Sequence, residues 1–291
     1  MAVQIAVASG KGGTGKTTVA TNLYQYISQA DSGKTLLVDC DVEEPNDTLF
    51  FPDALKAREL KVVQEIPSID TSRCTFCRKC VEYCEFNAIT VLPPVRFAEV
   101  NASLCHSCGA CAVACKFDAI NHTEHPIGIL SHYKLDQGAG ILEGRLNVGS
   151  AMQTAVIRSL KKEIPADLKT VILDGPPGTS CPVVETIADS DFVVLVTEPT
   201  PFGLHDLKLM VRLLQEIKKP FGVVINKANL GNRDVYDYLR NKGIEILGEI
   251  PFSRTYASKY SQTELFEDTP EEVGEAYKQL FETLHKKALI A

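Results

Sequence analysis

The octapeptide Gly10-Lys11-Gly12-Gly13-Thr14-Gly15-Lys16-Thr17 fits the pattern G-x-x-x-x-G-K-[ST], and its setting constrains the fold more than any other feature of the chain. A short apolar run, residues 2–7, precedes it, and a helix-period segment, Lys16 to Ala30, follows. Strand, glycine loop and helix in that order make a phosphate cradle, because the glycines let the backbone turn tightly with its N–H groups pointing inward. Lys16 would neutralise the β- and γ-phosphates and Thr17 would place its hydroxyl on Mg²⁺. The helix from Lys16 onward adds the positive end of its dipole. Gly12, Gly13, Thr14, Gly15, Lys16, Thr17 and Thr18 are therefore the candidate residues for binding ATP with Mg²⁺. The plain alternative is a glycine turn without a ligand.

The rest of the chain alternates apolar runs with amphipathic segments. Thr35 to Asp39 and Thr170 to Asp174 read as strands ending in carboxylates, and strands are expected again at 192–197, 221–226 and 244–250. Helices are expected at 151–163, 204–218 and 233–241. This rhythm predicts an α/β fold, a parallel sheet with helices on both faces and a ligand crevice at the carboxyl ends of the strands. Residues 129–147, punctuated by Gly138, Gly140 and Gly144, read as a β-hairpin. Val273, Tyr277, Leu280, Phe281 and Leu284 recur at helical spacing, and the segment lacks a strongly basic face. It reads as a helix docked on the core rather than a membrane-surface or partner helix.

Eight of the ten cysteines fall within 42 residues. Cys74, Cys77, Cys80 and Cys84 match Cys105, Cys108, Cys111 and Cys115 at a constant offset of 31. Ile69 and Val100, Phe86 and Phe117, Ala88 and Ala119, and Ile89 and Ile120 keep the same offset. Two equivalent half-units are thus expected within residues 61–122. The N-terminus has no signal-peptide layout, so metal ligation suits these thiols better than disulfides. A closely spaced cysteine trio wraps a cubane, and the fourth cysteine reaches the other cubane. On this reading Cys74, Cys77, Cys80 and Cys115 hold one [4Fe–4S] cluster, and Cys105, Cys108, Cys111 and Cys84 the other. Structural zinc is the rival, although the C-x-x-C-x-x-C run suits it poorly. His106, inside a cradle loop, reads as a residue that tunes potential rather than a ligand. Cys40 and Cys181 lie outside the repeat and read as small buried hydrophobes.

A hydrophobic fraction of 45% suffices for a buried core. A net charge of −7 without a basic block argues against nucleic-acid binding. No apolar run approaches the roughly 18 residues of a membrane span. No membrane anchor and a cytoplasmic location are expected.

With Lys11 in place, Lys-Gly-Gly-x-Gly-Lys-Thr resembles the deviant phosphate loop of the family that contains the cell-division ATPase MinD, the plasmid-partitioning ATPases, the nitrogenase iron protein and the Mrp-type iron–sulfur carriers. The resemblance implies a P-loop NTPase of the SIMIBI, MinD-like kind, in which Lys11 reaches the nucleotide of a second subunit in an ATP-dependent homodimer. Val38-Asp39-Cys40-Asp41 resembles the first switch, whose second aspartate orients the attacking water. Catalytic roles for Lys11, Lys16 and Asp41 follow from it, with Asp39 as a carboxylate on the Mg²⁺ side; a turn carboxylate is the plain alternative. Asp174-Gly-Pro-Pro-Gly-Thr179 resembles the second switch, with Asp174 near Mg²⁺, and Asn226 resembles the family's adenine-contacting asparagine. Cys181 follows Asp174 by seven residues; the nitrogenase iron protein has a cluster-ligating cysteine similarly placed after this switch, so the resemblance gives a dimer-bridging cluster through Cys181 as its second reading.

The cysteine module resembles the bacterial two-cluster ferredoxins, although Glu85 and Lys116 stand where those have proline. Nearly the whole chain is similar to MinD-superfamily ATPases with an inserted ferredoxin domain, including Asp41-Val-Glu-Glu-Pro-Asn46. It divides accordingly into an ATPase part at 1–60, a small α+β ferredoxin-like insert at 61–122 and a second ATPase part at 123–291. The insert lies between the two switch segments, which respond to the γ-phosphate. The expected function is an ATPase that couples its dimer switch to electron transfer or to iron–sulfur or metallocofactor assembly, with a redox or metallocofactor protein as partner. The alternatives are a redox-responsive regulatory or positioning ATPase, and a ferredoxin-type electron carrier on a nucleotide-binding scaffold.

Overall fold

Strands whose residues are apolar on both faces must be covered on both faces, and the short Val/Ile/Leu runs of this chain form such a sheet. The computed structural model describes residues 2–30, 33–136, 138–264, 269–287 and 289–290. The strands and helices follow in the order β1 (Val3–Ser9), α1 (Lys16–Ala30), β2 (Thr35–Asp39), β3 (Leu55–Ile69), α2 (Lys79–Glu82), β4 (Ile89–Leu92), β5 (Phe97–Val100) and α3 (Ala110–Ala114). They continue as β6 (Ile120–Lys134), β7 (Gly140–Leu146), α4 (Gln153–Lys162), β8 (Thr170–Pro177), α5 (Cys181–Ile187), β9 (Phe192–Thr197), α6 (Pro201–Glu216), β10 (Phe221–Asn226), α7 (Asp234–Lys242), β11 (Ile246–Ile250), α8 (Arg254–Ser261) and α9 (Glu271–Lys286).

The chain forms two compact units: Met1–Glu59 with Leu130–Arg145 and Ile157–Ala291, and Leu60–Ile129 with Leu146–Val156. In the first, the strands run β11-β10-β9-β1-β8-β2-β7, parallel at each of these junctions. Ile5 and Val7 of β1, Ile172 of β8 and Val194 and Val196 of β9 join one core with α1 and α9. The alternate residues Ala6, Leu173, Val193 and Leu195 are equally buried, as the period-2 geometry of a doubly covered strand requires. The stripe of α9 meets the docked-helix expectation: Val273, Tyr277, Leu280 and Leu284 lie in this core.

One element differs from the sequence reading. β8 runs past Asp174 to Pro177, because Ser9 still pairs with Pro177 after a register shift and the Gly178 N–H donates to the Ser9 carbonyl at 2.9 Å. The hairpin expected at 129–147 is met: the end of β6 and all of β7 are consecutive, hydrogen-bonded neighbours in the sheet. Gly140 adopts φ +99°, and a Cβ there would stand 2.0 Å from the Tyr133 carbonyl. Among the described residues no helix is long and apolar enough to cross a membrane.

The second unit is built from repeated local bonds. The Ser72 N–H and hydroxyl donate to Asp70 Oδ1 at 2.9 and 2.6 Å, and those of Ser103 to Asn101 Oδ1 at 3.0 and 2.6 Å. The Asp70 N–H donates to Ala119 O and the Asn101 N–H to Ala88 O, so each half-unit closes on the other. β4 and β5 pair antiparallel, with Ile89 opposite Val100.

Candidate functional site

The phosphate loop spans the end of β1 and the start of α1, with Asp39 and Asp174 at the ends of β2 and in β8 beside it. Gly15 shows why this loop needs glycine. Its φ is +88°, and a Cβ would lie 2.1 Å from the Asn226 amide nitrogen. That amide donates to the Thr14 carbonyl at 2.8 Å, which ties β10 to the loop. Gly13, Gly15, Thr18, Asn226 and Tyr256 help to line a pocket of about 300 Å³ that continues over Pro251 to Ser253. Gly12 is exposed on the loop.

Inside the loop the charges are crowded. Lys16 Nζ donates to Asp174 Oδ1 at 2.9 Å, and the Thr17 hydroxyl donates to Asp174 Oδ2 at 2.7 Å. Asp39 accepts three backbone N–H groups, from Asp41 at 3.1 Å, Asn46 at 2.8 Å and Asp47 at 3.0 Å. Burial opposes the Lys16 ammonium, but Asp174, with Asp41 and Asp39 behind it, more than offsets that and raises its pKa. Burial and then Asp174 push the Asp39 carboxyl up to about 8, against the Asp47 N–H and Lys16. Asp41, half-buried, is pushed up to about 6 by burial, with Lys16 pulling the other way. Carboxylate and hydroxyl oxygens converging on a phosphate loop are the hard donors that Mg²⁺ takes, so Thr17, Asp39 and Asp174 fit that ion chemically.

Several partners were not legible in sequence. Glu198, just beyond β9, has Oε2 3.8 Å from Lys11 Nζ and Oε1 2.5 Å from Lys227 Nζ. Glu143 of β7 accepts from the Thr48 hydroxyl at 3.1 Å and from Arg145 at 3.2 Å, and so grips the segment after Asp39. Asp47 is wholly buried; burial, then Asp39 and Asp174, hold its carboxyl well above the usual range. Each is an acid outside the apolar runs and motifs, Glu143 within the segment expected as a hairpin, and a sequence reads such acids as solvated.

The cysteines of the second unit line two cavities. One is walled by Cys84, Cys105, Cys108 and Cys111, with Phe86, His106 and His122. The other is walled by Cys74, Cys77, Cys80 and Cys115, with Phe76 and Phe117. Each cavity therefore takes three thiols from one half-unit and the fourth from the other. The N–H groups of Phe76, Ala88 and Ser107 donate to the sulfurs of Cys74, Cys84 and Cys105 at 3.4, 3.3 and 3.4 Å. Phe76, Arg78, Ser107 and Gly109 hold left-handed backbone at equivalent places in the two loops. Four thiols with N–H donors to sulfur fit a [4Fe–4S] cluster in each cavity. Among the described residues no three His, Cys, Asp or Glu side chains close on one point as a single ion requires. His106 stacks on Phe86, with ring centroids 3.8 Å apart. Cys40 is buried, as expected for a small hydrophobe, whereas Cys181 is exposed at the start of α5 and is not one.

A phosphate loop between the first strand and first helix of a parallel sheet, with carboxylates on the neighbouring strands, defines a P-loop ATPase. Residues 5–266 match the CobQ/CobB/MinD/ParA nucleotide binding domain, and the chain belongs to that family. It is 32% identical over 286 residues to the uncharacterized protein MJ0578 of Methanocaldococcus jannaschii, covering 97% of this chain and 96% of the relative. With MJ0579 of the same organism it shares 30% over 266 residues, 90% of each chain. The septum site-determining protein MinD complexed with Mg-ADP, from Pyrococcus horikoshii OT3, superposes with a TM-score of 0.59 at 17% identity, over 99% of this chain and 98% of that one. That likeness concerns the fold.

Proposed function

We propose that this ATPase couples an ATP-driven dimer switch to iron–sulfur chemistry, either electron transfer to a protein partner or the assembly of a metallocofactor. The observation that carries the reading is the crosswise sorting of eight thiols into two four-thiol cavities, in a chain that also holds a phosphate loop. The insert at 61–122 is the ferredoxin-like module on this reading, and when bound the clusters supply one-electron chemistry. In the ATPase, Gly12 to Thr18 cradle the phosphates, Asn226 contacts the base, and Thr17, Asp39 and Asp174 hold Mg²⁺. Asp41 orients the attacking water, while Lys16 and the Lys11 of a second copy stabilise phosphate charge. The switch segment after Asp39 leads directly into β3, so loss of the γ-phosphate is felt where the insert begins.

The test is anaerobic. Iron and sulfide content are measured first; then cluster EPR spectra and reduction potentials are recorded with and without Mg·ATP, with Lys16→Ala as control. A nucleotide-dependent shift, absent in Lys16→Ala, is expected. Identical spectra and potentials overturn redox gating, and a chain that takes up no iron overturns the cluster reading itself.

A further inference from the structure

The two half-units agree at their cysteines and part company at the surface. Between β4 and β5 the first carries Leu92-Pro-Pro-Val-Arg-Phe97, every residue of it exposed, Val95 at 70%, Leu92 at 49% and Phe97 at 42%. Leu92 and Phe97 oppose each other across the hairpin, while Val91 and Ala98, one step back, turn inward to the core around Phe76. Pro93 and Pro94 open a 3₁₀ turn, Pro93–Val95, and their fixed φ holds the tip in one shape. At the offset of 31 the second half-unit has Thr123, Pro126, Ile127 and Gly128, which β6 takes up as strand.

The cations divide in the same way. Arg73, Arg78 and Lys79 of the first half-unit correspond to Leu104, Gly109 and Ala110 of the second. Arg73 is met by Asp118 and Lys79 by Glu82. Arg78 and Arg96 meet no carboxylate among the described residues. Arg78 lines the cavity of Cys74, Cys77, Cys80 and Cys115. The Arg96 guanidinium lies over the ring of Phe76, 5.1 Å from its centroid, and Phe76 is a wall of that same cavity. The outward face of the hairpin holds one acid, Glu99, opposite Thr90 and away from the tip. An apolar tip and two unpaired arginines thus stand beside one cavity and have no counterpart beside the other.

An exposed apolar patch rimmed by polar groups marks an interaction site. Six residues are too few to seat a second copy stably, since a standard interface takes about 20–30 residues a side. Encounters between redox proteins are smaller and transient, and charges around the contact steer them. We propose that the tip Leu92–Phe97, with Arg78 and Arg96 beside it, docks a one-electron carrier protein whose binding face is apolar and ringed by carboxylates. This rests on the cluster reading given above. The cluster of Cys74, Cys77, Cys80 and Cys115 is then the terminal one. It is oxidised by one electron as the docked carrier is reduced by one, and no bond is made or broken. The chain as a whole, at −7, repels an acidic protein, so recognition depends on this local patch.

The test follows electron transfer by stopped flow from the full chain, reconstituted anaerobically and reduced with dithionite. The probes are an acidic flavodoxin, a basic cytochrome c and a small neutral quinone. Arg96→Glu should reduce flavodoxin about 10-fold more slowly or worse at low salt. The gap should narrow as salt is raised, while cytochrome c is reduced no more slowly than by the wild type. Val95→Ser, which leaves the charge alone, should slow flavodoxin several-fold at all salt concentrations. Both variants should keep the wild-type iron and sulfide content and the wild-type rate with the quinone. Equal slowing of all three probes marks an altered cluster and overturns the proposal, as does a variant that loses iron. A nucleotide-free wild type that sediments as a dimer, with Val95→Ser a monomer, gives the tip to a second copy and overturns it too. A wild type without iron refutes the cluster reading, whereas an iron-loaded wild type that reduces flavodoxin no faster than its variants overturns the docking surface alone.

Discussion

Lys16 Nζ donates to Oδ1 of Asp174 at 2.9 Å, which joins the first turn of α1 to β8 with both side chains withdrawn from water. Removing one member of such a pair leaves the other charge buried alone, at a cost of about 3–5 kcal/mol. Lys16→Ala and Asp174→Ala should each lose stability on that scale in the absence of nucleotide. The double variant should lose clearly less than the sum, since neither charge is then stranded. Urea unfolding of the four proteins checks this. Additive losses would mean that the ion pair contributes through packing alone. On the proposed roles of both residues toward the phosphates and their metal, ATP hydrolysis should vanish in all three variants.

Glu198 occupies both lysines that flank the phosphate loop, Lys11 and Lys227. If Lys11 acts on the nucleotide of a second copy, it must first leave Glu198. Glu198→Gln weakens that hold, so the dimer should form at a several-fold lower Mg·ATP concentration. Sedimentation velocity across an ATP titration reads the shift. Lys11→Ala should bind ATP yet hydrolyse it about 10²-fold more slowly, the usual loss of one charge stabiliser. A dimerisation curve unchanged in Glu198→Gln rejects the hold.

What the sequence made legible were features whose chemistry is local. The glycine loop, the strands ending at Asp39 and near Asp174, and the cysteine repeat each carry their own spacing, and the parallel sheet follows from their alternation. The fold added residues whose roles depend on distant neighbours. Glu198 meets Lys11 only because β9 lies beside β1 in the sheet. Glu143 meets Thr48 because β7 pairs with β2, opposing Asp39 to Glu143. Asp47 looks like one more surface acid until the turn that follows Asp39 buries it. Cys181 reads as apolar by composition, yet it opens a helix and faces solvent.

His132 of β6 gives a pH signature away from the nucleotide site. Burial draws its imidazole below the usual range, although Glu163, 3.5 Å from Nε2, pulls the other way. The unfolded chain then takes up the proton first, near pH 6.5. The stability tied to neutral His132 is present above that pH and falls as pH drops through it toward the lower folded value. His132→Gln should remove this part of the slope. Urea midpoints from about pH 8 to about pH 5.5 should show the wild type losing ground to the variant on the acid side. Parallel curves would show that His132 does not contribute.

The crosswise sorting of thiols makes the sharpest demand on the cluster reading. If Cys84 belongs with Cys105, Cys108 and Cys111, then Cys84→Ser together with Cys105→Ser damages one cluster and spares the other. Such a protein should keep about four irons per chain of the eight that two cubanes carry. Cys74→Ser with Cys84→Ser strikes both cavities, although both residues lie in the first half-unit, and its iron should fall toward zero. Sequential assignment, with each half-unit holding its own cluster, gives the opposite pattern: four irons in the second pair and loss in the first. Iron and sulfide analysis of the anaerobically reconstituted variants separates the two, and EPR of the surviving cluster identifies which cavity it occupies. The cavity walls favour the crosswise outcome, because Cys84 lines the cavity of Cys105, Cys108 and Cys111, and Cys115 that of Cys74, Cys77 and Cys80. Each half-unit would then complete the other's site, and the loss of one loop would weaken the far cluster as well as its own.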